Sequence, residues 1–92
     1  MADPADHPPL PELFHAIADA GSAEARRLVV ELGLEGAVRL RNVHYPEVDR
    51  DLRARSAGEP LTPALWSEGR LVVGGDAVAR ALAALAGQTT RG

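Results

Sequence analysis

The segment Ala37-Val-Arg-Leu-Arg-Asn-Val43 constrains the fold of this chain more than any other stretch. Apolar and polar residues alternate through it, so Val38 and Leu40 face one way and Arg39 and Arg41 the other. That period of two describes a strand with one side on a core, and the charged side suits an edge position. A helix precedes it. Leu28, Val29 and Leu32 recur at helical spacing from Ala25, Ser22 stands as the N-cap, Glu24 lies in the first turn and Gly33 stops the run, which predicts a helix over 23–32. A strand entered from a helix in this way calls for an earlier parallel strand, joined to it by a right-handed crossover.

The candidate for that earlier strand is the apolar run from Leu13 to Ala18. Read locally, it is a helix, with Pro11 at its first position, Leu13 and Ile17 on one face and Gly21 at its end. Read as the partner of residues 37–43, it is a short strand buried on both faces. Both readings fit the residues. The topological requirement favours the strand, because tertiary context overrides local propensity.

The remaining elements are punctuated clearly. Pro46 to Arg55 carries Val48 and Leu52 among mixed charge, which predicts a short amphipathic helix, and Ser56 to Pro60 is a loop. Ala64-Leu-Trp66 and Leu71-Val-Val73 flank Ser67-Glu-Gly-Arg70, a hairpin signal. Gly74-Gly75 breaks the second strand, and Asp76 is expected to cap a last helix whose Val78, Ala81, Leu82 and Leu85 form one stripe, with Gly87 ending it. The expectation is an α/β domain over residues 10–87, in the order β-α-β-α-β-β-α, with a four-stranded mixed sheet and about three helices on both faces. Residues 1–9 read as a flexible leader and 88–92 as a tail.

Composition narrows the chemistry. There is no cysteine, which removes disulfides, thiol nucleophiles, iron–sulfur clusters and cysteine-based zinc sites. All ten basic residues are arginine, so no lysine serves as a Schiff base or a general base. A net charge of −3 gives no footprint for nucleic acid or an anionic membrane. No apolar run approaches the roughly 20 residues that span a bilayer. The acidic, proline-rich start has neither the basic residues nor the apolar stretch of a signal peptide, so a cytoplasmic protein is expected.

The element order, together with Thr62-Pro63-Ala-Leu and Gly69-Arg-Leu-Val-Val-Gly-Gly-Asp-Ala-Val78, resembles the glutaredoxin and glutathione-transferase N-terminal branch of the thioredoxin fold. The resemblance covers about Leu13 to Leu85. It implies a cis peptide before Pro63, whose neighbour Thr62 offers its backbone to an extended peptide such as glutathione. It also implies that the Gly75-Asp76 turn receives the γ-glutamyl end of that ligand. The departure is at the reactive end. The family's paired cysteines fall near Asp19-Ala-Gly-Ser22, which has no sulfur, so thiol–disulfide exchange by the family mechanism is excluded. Ser22 occupies the vacated place, where transferases use a serine or tyrosine, but the helical domain that holds their second substrate is not among these residues.

The expected ligand-binding set is therefore Ser22, Thr62, Pro63, Gly75 and Asp76, with no catalytic residue and no metal. The leading expectation is a binding module for glutathione or an extended peptide that performs no redox chemistry. Its competitor is a protein-interaction or homo-oligomeric assembly domain with a vestigial groove, contacting its partner through an edge strand or Trp66. Plainer roles exist for each residue. Serine at a helix start is usually a cap, Gly-Gly-Asp is a turn with a cap, and Arg39 with Arg41 deters edge-to-edge pairing. His15 and His44 are expected on neighbouring strands, with His7 in the leader, but the pair finds neither a third metal ligand nor a supporting shell, and His15 reads as a satisfied strand residue.

Overall fold

A computed structural model describes the backbone of residues 9–91 and the side chains as far as Gln88. Apart from Pro9, the leader expected over residues 1–9 lies outside the described residues. Seven elements follow the expected order: β1 (Glu12–His15), α1 (Ala20–Glu31), β2 (Arg39–Asn42), α2 (Pro46–Arg55), β3 (Ala64–Ser67), β4 (Arg70–Val73) and α3 (Gly75–Arg91). The sheet runs β2-β1-β3-β4. β1 and β2 are parallel, with Leu13 opposite Leu40, and the two remaining pairings are antiparallel. Thus the apolar run before α1 does form the partner strand, and β2 lies at an edge.

The alternation of β1 divides the core. Leu13 enters the layer covered by α1 and α3, where it meets Ala25, Val29, Leu34, Val38, Leu65, Val78 and Leu82. Phe14 enters the opposite layer, with Val48 and Leu52 of α2 and Ala64 of β3. The strand is buried along its whole length, including Glu12 and His15, which are each 8% exposed.

Glu12 tolerates that burial because two arginines meet it. Arg55 donates to its carboxylate at 2.8 Å, and Arg41 donates to the same group while also pairing with Asp51 at 2.8 Å. The guanidinium of Arg55 lies 4.7 Å from the Trp66 ring centroid and 5.6 Å from that of Phe14, and Arg41 lies 5.5 Å from Phe14. Burial pushes the Glu12 carboxyl up, but the hydrogen bonds from Arg55 and Arg41 outweigh it and hold the group below its ordinary range. Charge and aromatic faces together bind α2 to the sheet. Arg39 stays exposed on the edge, as expected, whereas Arg41 is drawn under α2.

Several boundaries differ from the sequence reading, each for a local reason. β1 ends at His15 and not at Ala18, because Ser22 Oγ accepts the Ala16 N–H at 3.0 Å and Arg26 donates to its carbonyl at 3.2 Å. α1 begins at Ala20 because Asp19, extended at φ −95°, is the N-cap and accepts the Gly21 N–H; Ser22 lies inside the helix. β2 starts at Arg39 because the N–H groups of Ala37 and Val38 bond Leu34 O, leaving the sheet to begin where Arg39 N–H reaches Pro11 O at 2.8 Å. α3 starts at Gly75, with Gly74 O accepting the Val78 N–H at 2.9 Å, so Asp76 sits in the first turn and is not the cap. Gly87 does not end α3, which continues to Arg91 and takes in most of the expected tail; glycine costs a helix about 1 kcal/mol but does not break it.

Other local signals act as their chemistry dictates. Gly33 at φ +69° closes α1, with Gly33 N–H on Val30 O and Leu34 N–H on Val29 O, and this Schellman geometry drops Leu34 into the core. Glu68 and Gly69 both have positive φ, the condition for a two-residue type I′ hairpin turn.

Adjacent valines of α1 test the layer assignment. Val29 is buried and Val30 is 59% exposed. Val29→Ala is expected to cost about 2 kcal/mol in urea unfolding through the cavity it leaves, whereas Val30→Ala should stay within about 0.5 kcal/mol.

Candidate functional site

The end of the sheet where β1 stops collects four loops: Ala16–Asp19 after β1, Val43–Tyr45 after β2, Leu61–Pro63 before β3, and Gly74 after β4. Val43 N–H bonds His15 O at 2.9 Å and Gly74 N–H bonds Pro63 O at 3.0 Å, which draws neighbouring loops together in pairs.

Asp19 organises the centre of this end. One carboxylate oxygen accepts the Gly21 N–H at 3.2 Å. The other accepts the Ser22 hydroxyl at 2.8 Å and the Thr62 hydroxyl at 3.1 Å. The last bond joins residues 43 apart in sequence and ties the start of α1 to the start of β3. The Ser22 hydrogen bond above all, then those from Thr62 and the backbone, holds the Asp19 carboxyl below its usual range against the smaller effect of burial. The helix dipole favours the same ionised form.

Thr62-Pro63 is a cis peptide. Pro63 is buried, and its ring lies so close to α1 that a Cβ on Gly21 would come within 3.0 Å of Pro63 Cδ. Gly21 is therefore the residue that lets the helix start against the proline. Among the described residues, the N–H and C=O of Thr62 have no hydrogen-bond partner. They form a short open backbone edge beside Asp19.

The five residues expected to bind thus have unequal placements. Thr62 and Ser22 meet on Asp19, Pro63 packs on the helix start, and Gly75 and Asp76 lie next to Gly74, which bonds Pro63. Gly75 and Asp76 are exposed. Ser22 is 0% exposed, and its hydroxyl both donates to Asp19 and accepts from Ala16 N–H. It cannot touch a ligand or act as a nucleophile in this position; it is an internal brace. Asp19, the organising residue, carries no signal in the sequence beyond an acid before a helix, because its link to Thr62 is long-range.

His15 is a satisfied strand residue. Arg26 approaches its Nδ1 at 3.0 Å, so the guanidinium donates to a neutral ring, and the same nitrogen of Arg26 reaches Ala16 O. Burial, and then the charge of Arg26, lower the His15 pKa. No group of three His, Asp or Glu converges as a metal site among the described residues. Trp66 is half-buried beneath Arg55.

The loops and strand ends at this end of the sheet carry four large apolar side chains that the core does not cover: Ile17, Tyr45, Leu61 and Val73. Ile17 is 69% exposed, two residues before Asp19, and Leu61 is 55% exposed, directly before Thr62. An unpaired backbone edge rimmed by apolar side chains can accept an extended chain by strand-like pairing.

Compared with protein-family models, with curated proteins and with solved structures, the chain matches none. No helix among the described residues is long and apolar enough to cross a membrane.

Two outcomes check this site. Asp19→Ala should cost about 1–2 kcal/mol as the helix loses its cap, and Thr62→Val should cost less in that background than in the native chain, as a double-mutant cycle by urea unfolding measures. His15 is harder to protonate in the folded chain than in the unfolded one, because of burial and Arg26. Its contribution to stability should be full above the ordinary histidine pKa of about 6.5 and fall as pH drops below it, and His15→Phe should flatten that part of the stability-versus-pH curve.

Proposed function

We propose that the chain is a thioredoxin-class, glutaredoxin-like domain that binds glutathione or another extended peptide and performs no thiol chemistry. Support comes first from the open backbone of Thr62 beside the cis Pro63, facing the start of α1. The strand order β2-β1-β3-β4, with a single parallel pair, agrees with that class. In this reading Thr62 pairs with the peptide backbone, while the exposed Gly75-Asp76 turn meets a charged end of the ligand, N–H groups taking a carboxylate or Asp76 an amine. Pro63, Ser22 and Asp19 hold the edge in place. The chain has no cysteine, so no thiol–disulfide exchange follows binding. A cytoplasmic setting, where small thiol peptides stay reduced, goes with this role.

The apolar rim of Ile17, Tyr45, Leu61 and Val73 favours a second reading, in which the same end docks a protein partner or a second copy of the chain. One set of measurements separates them. Amide spectra are recorded as reduced glutathione, and separately the blocked peptide acetyl-Ala-Val-Ala-amide, is added to millimolar concentration. Saturable shifts at Thr62, Gly75 and Asp76 are the expected result. The absence of any shift with both probes overturns the binding role, and a dimer that dissociates on dilution then supports assembly.

A further inference from the structure

The far end of the sheet carries a second concavity, independent of the Thr62 edge. There the β3–β4 hairpin and α3 flank an open cleft of ≈ 290 Å³. Leu65 and Val72, cross-strand partners on the α3 side of the hairpin, form its floor. α3 contributes Ala81, Ala84 and Leu85 to the lining, and the two alanines have small side chains. The mouth is polar. Ser67 and Arg70 face each other across the turn on the same side as Leu65 and Val72, and Glu68 stands on the turn itself. Among the described residues, the Ser67 hydroxyl, the Glu68 carboxylate and the Arg70 guanidinium have no hydrogen-bond or ion-pair partner.

From this arrangement we infer a binding site for a small apolar α-amino acid. Its side chain lies on Leu65, Val72 and Leu85. Its carboxylate meets the planar guanidinium of Arg70, which can bind both oxygens, and its ammonium group meets Glu68, with Ser67 adding a hydrogen bond. Charge decides among ligands. A wholly apolar molecule leaves three rim groups unanswered, and a carboxylate without an amine sets its charge beside Glu68 unrelieved. The volume is at the small end for ligand sites, which suits one amino acid and not a peptide.

The test is an amide-shift titration of the full chain with L-leucine, 4-methylpentanoate, which lacks the amine, and isoamylamine, which lacks the carboxylate. L-Leucine is expected to give saturable shifts at Ser67, Arg70, Val72 and Ala84, with Thr62 unmoved, and the two analogues to bind at least tenfold more weakly. Ala84→Phe, which fills the cleft, should abolish the leucine response. Arg70→Gln, at an exposed position that keeps the fold in place should Ala84→Phe fail to fold, should weaken it at least fivefold. No saturable shift at these amides, equal binding of 4-methylpentanoate, or unchanged binding in Arg70→Gln overturns the inference. Because the cleft lies at the other end of the sheet from Thr62, its failure leaves the peptide-binding reading untouched.

Discussion

A buried central strand that begins with a carboxylate and ends with an imidazole is the constraint on which this structure depends. β1 lies between β2 and β3 and is covered on both faces, so each polar side chain on it must find a partner inside the protein. The alternation of the strand sends Glu12 to one layer with Phe14 and His15 to the other with Leu13. Arginines answer both: Arg41 and Arg55 on the α2 side, Arg26 on the α1 side. No buried polar side-chain atom lacks a partner among the described residues. With 92 residues the chain has little core to spare, and these arginines let four consecutive residues stay in the centre of the sheet.

The same pairing explains what was legible in the sequence. Elements set by local chemistry appear where their residues put them: α2 behind Pro46, the hairpin at Glu68-Gly69, the close of α1 at Gly33. The partner strand was legible through topology and not through its own residues, whose propensity points to a helix. What could not be read is what rests on distant pairs. Arg41 appears in sequence as an edge charge, yet α2 folds back over it because Glu12 and Asp51 lie within reach. Ser22 appears as a cap, yet Asp19 three residues earlier takes that role, since a hydroxyl already committed to Ala16 N–H is better placed inside the turn.

Long-range closure also decides the candidate site. Thr62 and Pro63 stand out as a dipeptide, and Asp76 as an acid after glycines, but nothing local says that Asp19 would accept the Thr62 hydroxyl. The arrangement is economical in another respect. Arg26 contacts both His15 and the Ala16 carbonyl, so one side chain satisfies the end of β1 and fixes the loop that leads to Asp19. Hydrogen bonds therefore run from His15 through Arg26, Ala16, Ser22 and Asp19 to Thr62.

The position of Asp19 bears directly on what such an edge can do. A helix start stabilises an anion, whether a thiolate, a ligand carboxylate or a side chain of the protein itself. Here that capacity is taken by Asp19, whose carboxylate is already ionised and already bonded to Gly21, Ser22 and Thr62. A nucleophile gains nothing from a dipole that a neighbouring charge has used, and an anionic ligand approaching this spot meets like charge. What stays available is neutral: the N–H and C=O of Thr62 and the apolar rim around them. The field of this helix start is thus spent within the protein: through Asp19 it caps α1 and ties Thr62 to the helix.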